Sequence, residues 1–320
     1  MGIIQQITTG RALDLYSGIG GWSLGLQEAG FKSVTGMELD PLAVSIYRER
    51  VGPCWEGNIG PQSHPPFQVD VVTSDIPEKR VSRKLTSEEV IPEIEVFSTL
   101  KIATEAQAKV VIFSLVPWGE TSVMNFEVGK FSVIRHINEE ATQAGFRVSA
   151  QLFDAVDYGL PQYRKRIICI LFRRAELQRR FTWPHPTHNG KKGKKKPVCV
   201  QDILNIEYPY PSPTVTSSEF KSSWKGNGGG TSIARRASER MAGFVGPAKW
   251  GNRNVCLEPK ELAALQGLPL SWDWSGIPKR HSLPLIGRAF PPPLARAIGS
   301  SVYSALYGSK VGGSARRVTG

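Results

Sequence analysis

A doubly wound α/β sheet with a smaller, loop-rich region attached is the fold class this sequence predicts. Three observations carry that expectation. The N-terminal half alternates short β-rich apolar runs with helix-length segments, the pattern that places helices on both faces of a sheet. A glycine-rich turn, DLYSGIGG, follows the first apolar run and opens a helix. From Arg173 to Cys256 the texture changes to Pro, Gly, Ser and Lys with little periodicity, and helical patterning then returns.

In chain order, Ala12 to Tyr16 reads as a buried strand and Leu24 to Ala29 as the body of the next helix. Ser33 to Met37 is the second strand. Pro41 to Arg50 is the second helix, with Asp40 as N-cap and Pro41 at the first helical position, where a missing N–H costs nothing. Val69 to Thr73, Val110 to Phe113 and Ile167 to Phe172 are further strands, and Phe131 to Ala144 is a helix stopped by Gly145. The order reads βαβα throughout. Pro259 to Gln266 and Pro293 to Leu306 are helices near the C-terminus. The expected domains are 1–172 with 257–307 as one cofactor-binding unit, 173–256 as a small loop-rich domain, and 308–320 as a flexible tail.

A chain of 320 residues with 40% hydrophobic content buries a sizeable core. No run of eighteen apolar residues occurs, and MGIIQQITTGR lacks the pattern of a secretory leader. Cys54, Cys169, Cys199 and Cys256 are scattered without CxxC spacing, which argues against a zinc site or a disulfide framework. The expectation is an intracellular protein of cytoplasm, nucleoid or nucleus, neither secreted nor membrane-bound. Forty Lys and Arg against 28 Asp and Glu leave a net charge of +12, which favours a polyanionic partner. Lys191, Lys192, Lys194, Lys195 and Lys196 concentrate part of that excess in one loop, expected to be disordered alone and to order on a polyanion.

The first chemical signal is the turn Asp14 to Gly21. Glycines let the backbone approach a nucleotide-like ligand while a helix N-terminus offers free N–H groups. Glu38, in GMELD at the end of the next strand, stands where a carboxylate binds ribose hydroxyls. The pair is more specific than either half, although a tight turn beside a solvated acid would read the same way.

These segments resemble the cytosine-C5 DNA methyltransferases, and the resemblance covers most of the chain. DLYSGIGGWSLGLQEAGF looks like the family's S-adenosylmethionine loop, GMELDPLA like its ribose-binding segment and GNIG like its adenine-contacting segment. DYGLPQYRKRIICI matches the QxRxR segment with Gln162, Arg164 and Arg166 in register. PSPTVTS, LEPKELAALQGLP and IGRAFPPPLARAIGSSV follow in the family's order. The resemblance implies a methyltransferase-type Rossmann-like fold and S-adenosylmethionine held by Tyr16, Gly18, Gly20, Gly21, Glu38 and Asn58.

It also exposes departures. The family's cysteine thiolate adds to C6 of a flipped-out cytosine, and a glutamate donates a proton at N3, so that C5 accepts a methyl group. The aligned Pro-Cys-Gln residues are Pro77, Glu78 and Lys79 here, and the aligned Glu-Asn-Val residues are Ser114, Leu115 and Val116. Both reagents are missing, so no residue is assigned a catalytic role in the C5 reaction. Asn58 replaces an acid near the adenine. Arg288 replaces asparagine near the methionine end, where a guanidinium would oppose the sulfonium charge or occupy the pocket. The base-reading region between QxRxR and PSPT is short.

Cys54 reads as an ordinary small residue and Cys169 as strand core. His185 and His188 lack a third metal ligand, and no metal is expected. GNGGG at Gly226 to Gly230 reads as a loop, and Trp272 and Trp274 as packing anchors. Arg164 and Arg166 are weighed equally as nucleic-acid phosphate or partner contacts and as structural charges. Three functions stay open. One is a catalytically silent subunit bound to double-stranded DNA or to a protein partner such as an active methyltransferase subunit. Another is an enzyme with a different acceptor, using Asp75 or Glu78 as base. The third is an interaction module with a vestigial pocket.

Overall fold

The computed structural model describes residues 10–76, 93–117, 132–191, 193–205, 208–212, 214–215 and 257–308. Its seven strands are β1 (Arg11–Leu15), β2 (Ser33–Glu38), β3 (Cys54–Glu56), β4 (Val71–Asp75), β5 (Val110–Leu115), β6 (Arg147–Asp154) and β7 (Lys165–Phe172), in one sheet ordered β3-β2-β1-β4-β5-β7-β6. The helices are α1 (Gly21–Ala29), α2 (Pro41–Arg50), α3 (Glu93–Glu105), α4 (Ser132–Gln143), α5 (Ala175–Arg180), α6 (Pro259–Leu265), α7 (Lys279–Arg288) and α8 (Pro292–Tyr307). Strand order reverses between β1 and β4, so the crevice at their carboxyl ends is where such sheets bind ligands.

Strand alternation explains both covered faces. On β5, Val111 and Phe113 enter one core with α3 and α4, while Val110 and Ile112 enter the other with α1 and α8. β7 repeats this, with Ile167, Cys169 and Leu171 on the first face and Ile168, Ile170 and Phe172 on the second.

The expected α/β class holds, but the uniform βαβα reading is corrected. β7 runs antiparallel to both β5 and β6, because β6 and β7 are joined by a short connection rather than by a crossover helix. Helix α2 has the expected bounds, with the Asp40 side chain accepting from the Leu42 and Ala43 amides. Strands β3 and β6 and helices α3, α5 and α7 were not anticipated. The expected strand Val69 to Thr73 lies two residues later, at Val71–Asp75.

In the region expected as a separate small domain, Val200, Tyr208 and Val215 are buried in one cluster with Ile19, Ile46, Leu262 and Ile286. The described part of that region shares its core with the sheet unit. Trp272 and Trp274 lie in the same cluster, each under the Arg50 guanidinium.

Candidate functional site

The turn after β1 is shaped by its own backbone. Tyr16 and Gly18 both have left-handed φ, 55° and 52°, and α1 starts after Gly20 without a side-chain cap. The three candidate glycines divide by role. A Cβ on Gly18 would meet nothing within 4 Å, so this residue faces open space. A Cβ on Gly20 would strike Val51 and Tyr47, and one on Gly21 would lie 2.0 Å from the Phe290 carbonyl oxygen. Gly20 and Gly21 are small because protein packs against them.

Glu38 closes the crevice. Its Oε2 accepts from the Gly18 amide at 2.8 Å, and its Oε1 accepts from the Leu39 and Asp40 amides at 2.7 and 2.9 Å. Charge-assisted bonds to backbone fix the carboxylate, and Oε2, with one bond made, keeps an acceptor site for a hydroxyl. Asn58 is exposed on the neighbouring loop, where its carbonyl accepts from Ser63. Half-buried Tyr16 donates to the Ile59 carbonyl at 3.5 Å, and burial with the nearby Glu95 charge raises its pKa. Glu38 thus ties the glycine turn at Gly18 to the end of β2, and Tyr16 ties it to the loop that carries Asn58.

Beneath this surface lies a network that the sequence reading missed. The fully buried Asp14 accepts from Ser23 Oγ at 2.6 Å and from Thr73 Oγ1 at 2.7 Å, and Tyr47 donates to Ser23 at 2.6 Å. Desolvation pushes the Asp14 pKa up to about 7 against the pull of those hydroxyls, with the Asp75 charge adding to the rise. The signal available was a lone carboxylate inside the apolar run ALDL.

Three of the expected cleft residues are buried. Gln162 donates to the Leu265 carbonyl and to Gln266 Oε1, each at 3.0 Å, and accepts from the Val215 amide at 2.8 Å. Arg164, 2% exposed, donates to the carbonyls of Val215 at 2.7 Å and Gly287 at 2.8 Å. Of the two readings weighed equally for Arg164, the structural one fits its enclosed guanidinium and its bonds to carbonyls. Arg166 is also buried and donates to the Lys165 carbonyl.

At the carboxyl end of β5, Ser114 pairs in register with Asp75 of β4 and is fully buried, and its hydroxyl has no hydrogen-bond partner among the described residues. Glu78, with Pro77 and Lys79, lies outside the described residues, as do Lys192 and Cys256. Burial pushes the Cys54 thiol up to about 11 and the Cys169 thiol up to about 12.

Arg288 is exposed and its Nε donates to the Pro284 carbonyl, back along its own helix. The described residues of the lysine loop form a hydrogen-bonded turn. Gly190 N donates to Lys195 O, Lys195 N to Thr187 O and Lys194 N to Lys191 O, while the side chains of Lys191, Lys194, Lys195 and Lys196 stay exposed. His188 in the same segment bonds to Thr187, and no cluster among the described residues could hold a metal ion. Among the described residues no helix is long and apolar enough to cross a membrane.

Residues 10–238 match the sequence model of a family described as C-5 cytosine-specific DNA methylase. The type II methyltransferase M.NgoMIV of Neisseria gonorrhoeae is 25% identical over 323 residues, covering 92% of this chain and 97% of that protein. M.Eco47II of Escherichia coli, also a type II methyltransferase, is 26% identical over 92% of this chain and 79% of its own. A solved structure of a Spodoptera frugiperda DNMT2 mutant gives a TM-score of 0.62 over 92% of this chain and 100% of that chain. At 14% identity that likeness concerns the fold alone.

Proposed function

The chain belongs to the C-5 cytosine-specific DNA methylase family, and from that premise we propose that it is a catalytically silent member. It keeps a nucleoside-binding crevice and works as a DNA-associated or partner-binding subunit. The C5 reaction needs a thiolate at C6 and a proton donor at N3. The observation that carries the reading is Ser114, which occupies the donor's aligned position as a fully buried hydroxyl. A neutral serine has no acidic proton to give a ring.

The nucleophile fares no better. Glu78 stands at the aligned cysteine position, and a carboxylate oxygen is a poor substitute for a soft thiolate at a pyrimidine carbon. Cys54 and Cys169 remain protonated and buried at neutral pH, and burial also raises the pKa of Cys199.

The crevice itself suits S-adenosylmethionine. Gly18 borders open space, Glu38 Oε2 would accept a ribose hydroxyl, and Tyr16 and Asn58 would contact the adenine, the roles that the family resemblance implies. When bound, the cofactor would supply an electrophilic methyl group. The residues of the crevice would orient the nucleoside, and among the described residues none stands as a thiolate or proton donor for a cytosine ring.

Calorimetric titration with S-adenosylmethionine and its demethylated product, followed by mass spectrometry of nucleosides from incubated duplex DNA, tests the reading. Binding heat with no methylated nucleoside is the expected result. Methylcytosine in the digest overturns the silent reading, and absence of heat at millimolar ligand overturns the retained crevice.

A further inference from the structure

The buried Gln162 and Arg164 meet three segments that are distant in sequence. Ser212, Thr214 and Val215 lie along the strand approach, with Tyr163 N donating to Ser212 O, Ser212 N to Pro161 O and Thr214 Oγ1 to Tyr163 O. Gln162 takes the Val215 amide and Arg164 takes its carbonyl, so one residue is gripped from both sides. Gln162 then reaches the end of α6 through Leu265 O and Gln266 Oε1, and Gln266 Nε2 passes the contact on to the Ala289 carbonyl. Arg164 donates to the Gly287 carbonyl at 2.8 Å. The two carbonyls flanking Arg288 are thus both held from the sheet side.

The segment so held touches the ligand crevice. Phe290 follows Ala289, its ring stacks on Trp22 at 4.1 Å and 17°, and its carbonyl oxygen lies where a Gly21 side chain would be. Trp22 and Gly21 open α1, directly after the turn that carries Gly18. A continuous path of packed and hydrogen-bonded atoms therefore runs from Gln162 and Arg164 to the glycine turn.

We propose that Gln162, Arg164 and Gln266 are positioning residues for the crevice, holding Gly287 to Phe290 against the glycine turn and so fixing its shape. Arg288 is then carried at the rim by its anchored neighbours. The proposal rests on the crevice reading for its consequence in ligand affinity, while the mechanical coupling stands on the contacts alone.

Hydrogen exchange followed by mass spectrometry separates the two. The Ser17 amide is protected by Met37 O and the Gly20 amide by Ser17 O, so both report the state of the turn. In Gln266→Met, which breaks the relay without touching the sheet, exchange should rise about tenfold both at 287–290 and at 17–20, with β5 still protected. Arg164→Met should do the same, and Arg164→Lys, able to reach one carbonyl, should fall between parent and Met variant. Should Arg164→Met fail to fold, Gln266→Met still decides. An unchanged turn in folded Gln266→Met, whether or not 287–290 loosens, overturns the proposal. Affinity for the demethylated cofactor should fall in parallel with the exchange. A parent that binds no cofactor would refute the crevice reading and leave the exchange result to decide the coupling.

Discussion

Asp14 and Ser114 are two buried polar groups with opposite satisfaction, and each makes a measurable claim. The Asp14 carboxyl titrates near 7 in the fold against 3.8 when unperturbed. Below the lower value both states are protonated and the contribution is fully present. Between the two values the unfolded chain binds fewer protons, so stability falls as pH rises, by up to roughly 1.4 kcal/mol per unit. Asp14→Asn, which keeps the shape and leaves both hydroxyls a partner, should flatten that slope between about pH 4 and pH 7 in denaturant titrations. An unchanged slope would assign the pH dependence elsewhere. Ser114 has the reverse problem, a buried hydroxyl with no partner among the described residues. Ser114→Ala should therefore leave stability unchanged or raise it by about 1 kcal/mol, and a clear loss would mean the hydroxyl is satisfied. Ser114 was legible in the sequence as a departure from a pattern, but its burial was not, because burial depends on how β5 sits between β4 and β7.

At the scale of elements, α1 and α8 pack closely enough that two glycines of α1 are required. A Cβ on Gly25 would come within 2.3 Å of the Ala295 Cβ, and the Gly21 contact with Phe290 is tighter still. Gly21→Ala should cost more than about 3 kcal/mol of stability, since backbone must move to admit the methyl group. Gly18→Ala meets open space and carries only the left-handed strain of about 1 to 2 kcal/mol. It should fold and lose ligand affinity, a contrast that thermal melts and calorimetry read together. Equal stability losses in the two variants would refute the division of roles. The same elements show what sequence can carry. Helix α2 was legible to the residue because Asp40 and Pro41 mark its start chemically. Strand β6 was not, since most of RVSAQLFD is only partly buried and lacks an apolar run. Helix α7 was hidden by Pro284 and Gly287, which weaken a helical pattern that tertiary contacts nonetheless stabilise. The glycine turn and Glu38 were legible because local chemistry defines them. The hub of Gln162, Arg164 and Gln266 was not, because its partners lie about 50 to 120 residues away and only the fold brings them together.

For the whole molecule, net charge and the lysine turn point to a polyanion. If the turn tracks a phosphate backbone, duplex DNA affinity should be weak, indifferent to sequence and steeply salt-dependent, with a log-log slope of roughly −0.9 per phosphate neutralised. Replacing Lys191, Lys192, Lys194, Lys195 and Lys196 by glutamine should flatten that slope by several units while the thermal melt stays in place, because the described side chains of the turn are exposed. An unchanged slope would move DNA contact to other residues or to a protein partner. The central claim, a family fold without its C5 chemistry, concerns covalent bond formation, and a duplex carrying 5-fluorocytosine traps that bond in any enzyme that forms it. With S-adenosylmethionine present, denaturing gels of the parent protein and of Glu78→Cys should show no covalent complex, since Glu78 is no thiolate and Ser114 cannot protonate the ring. A trapped adduct on the parent protein would contradict the account.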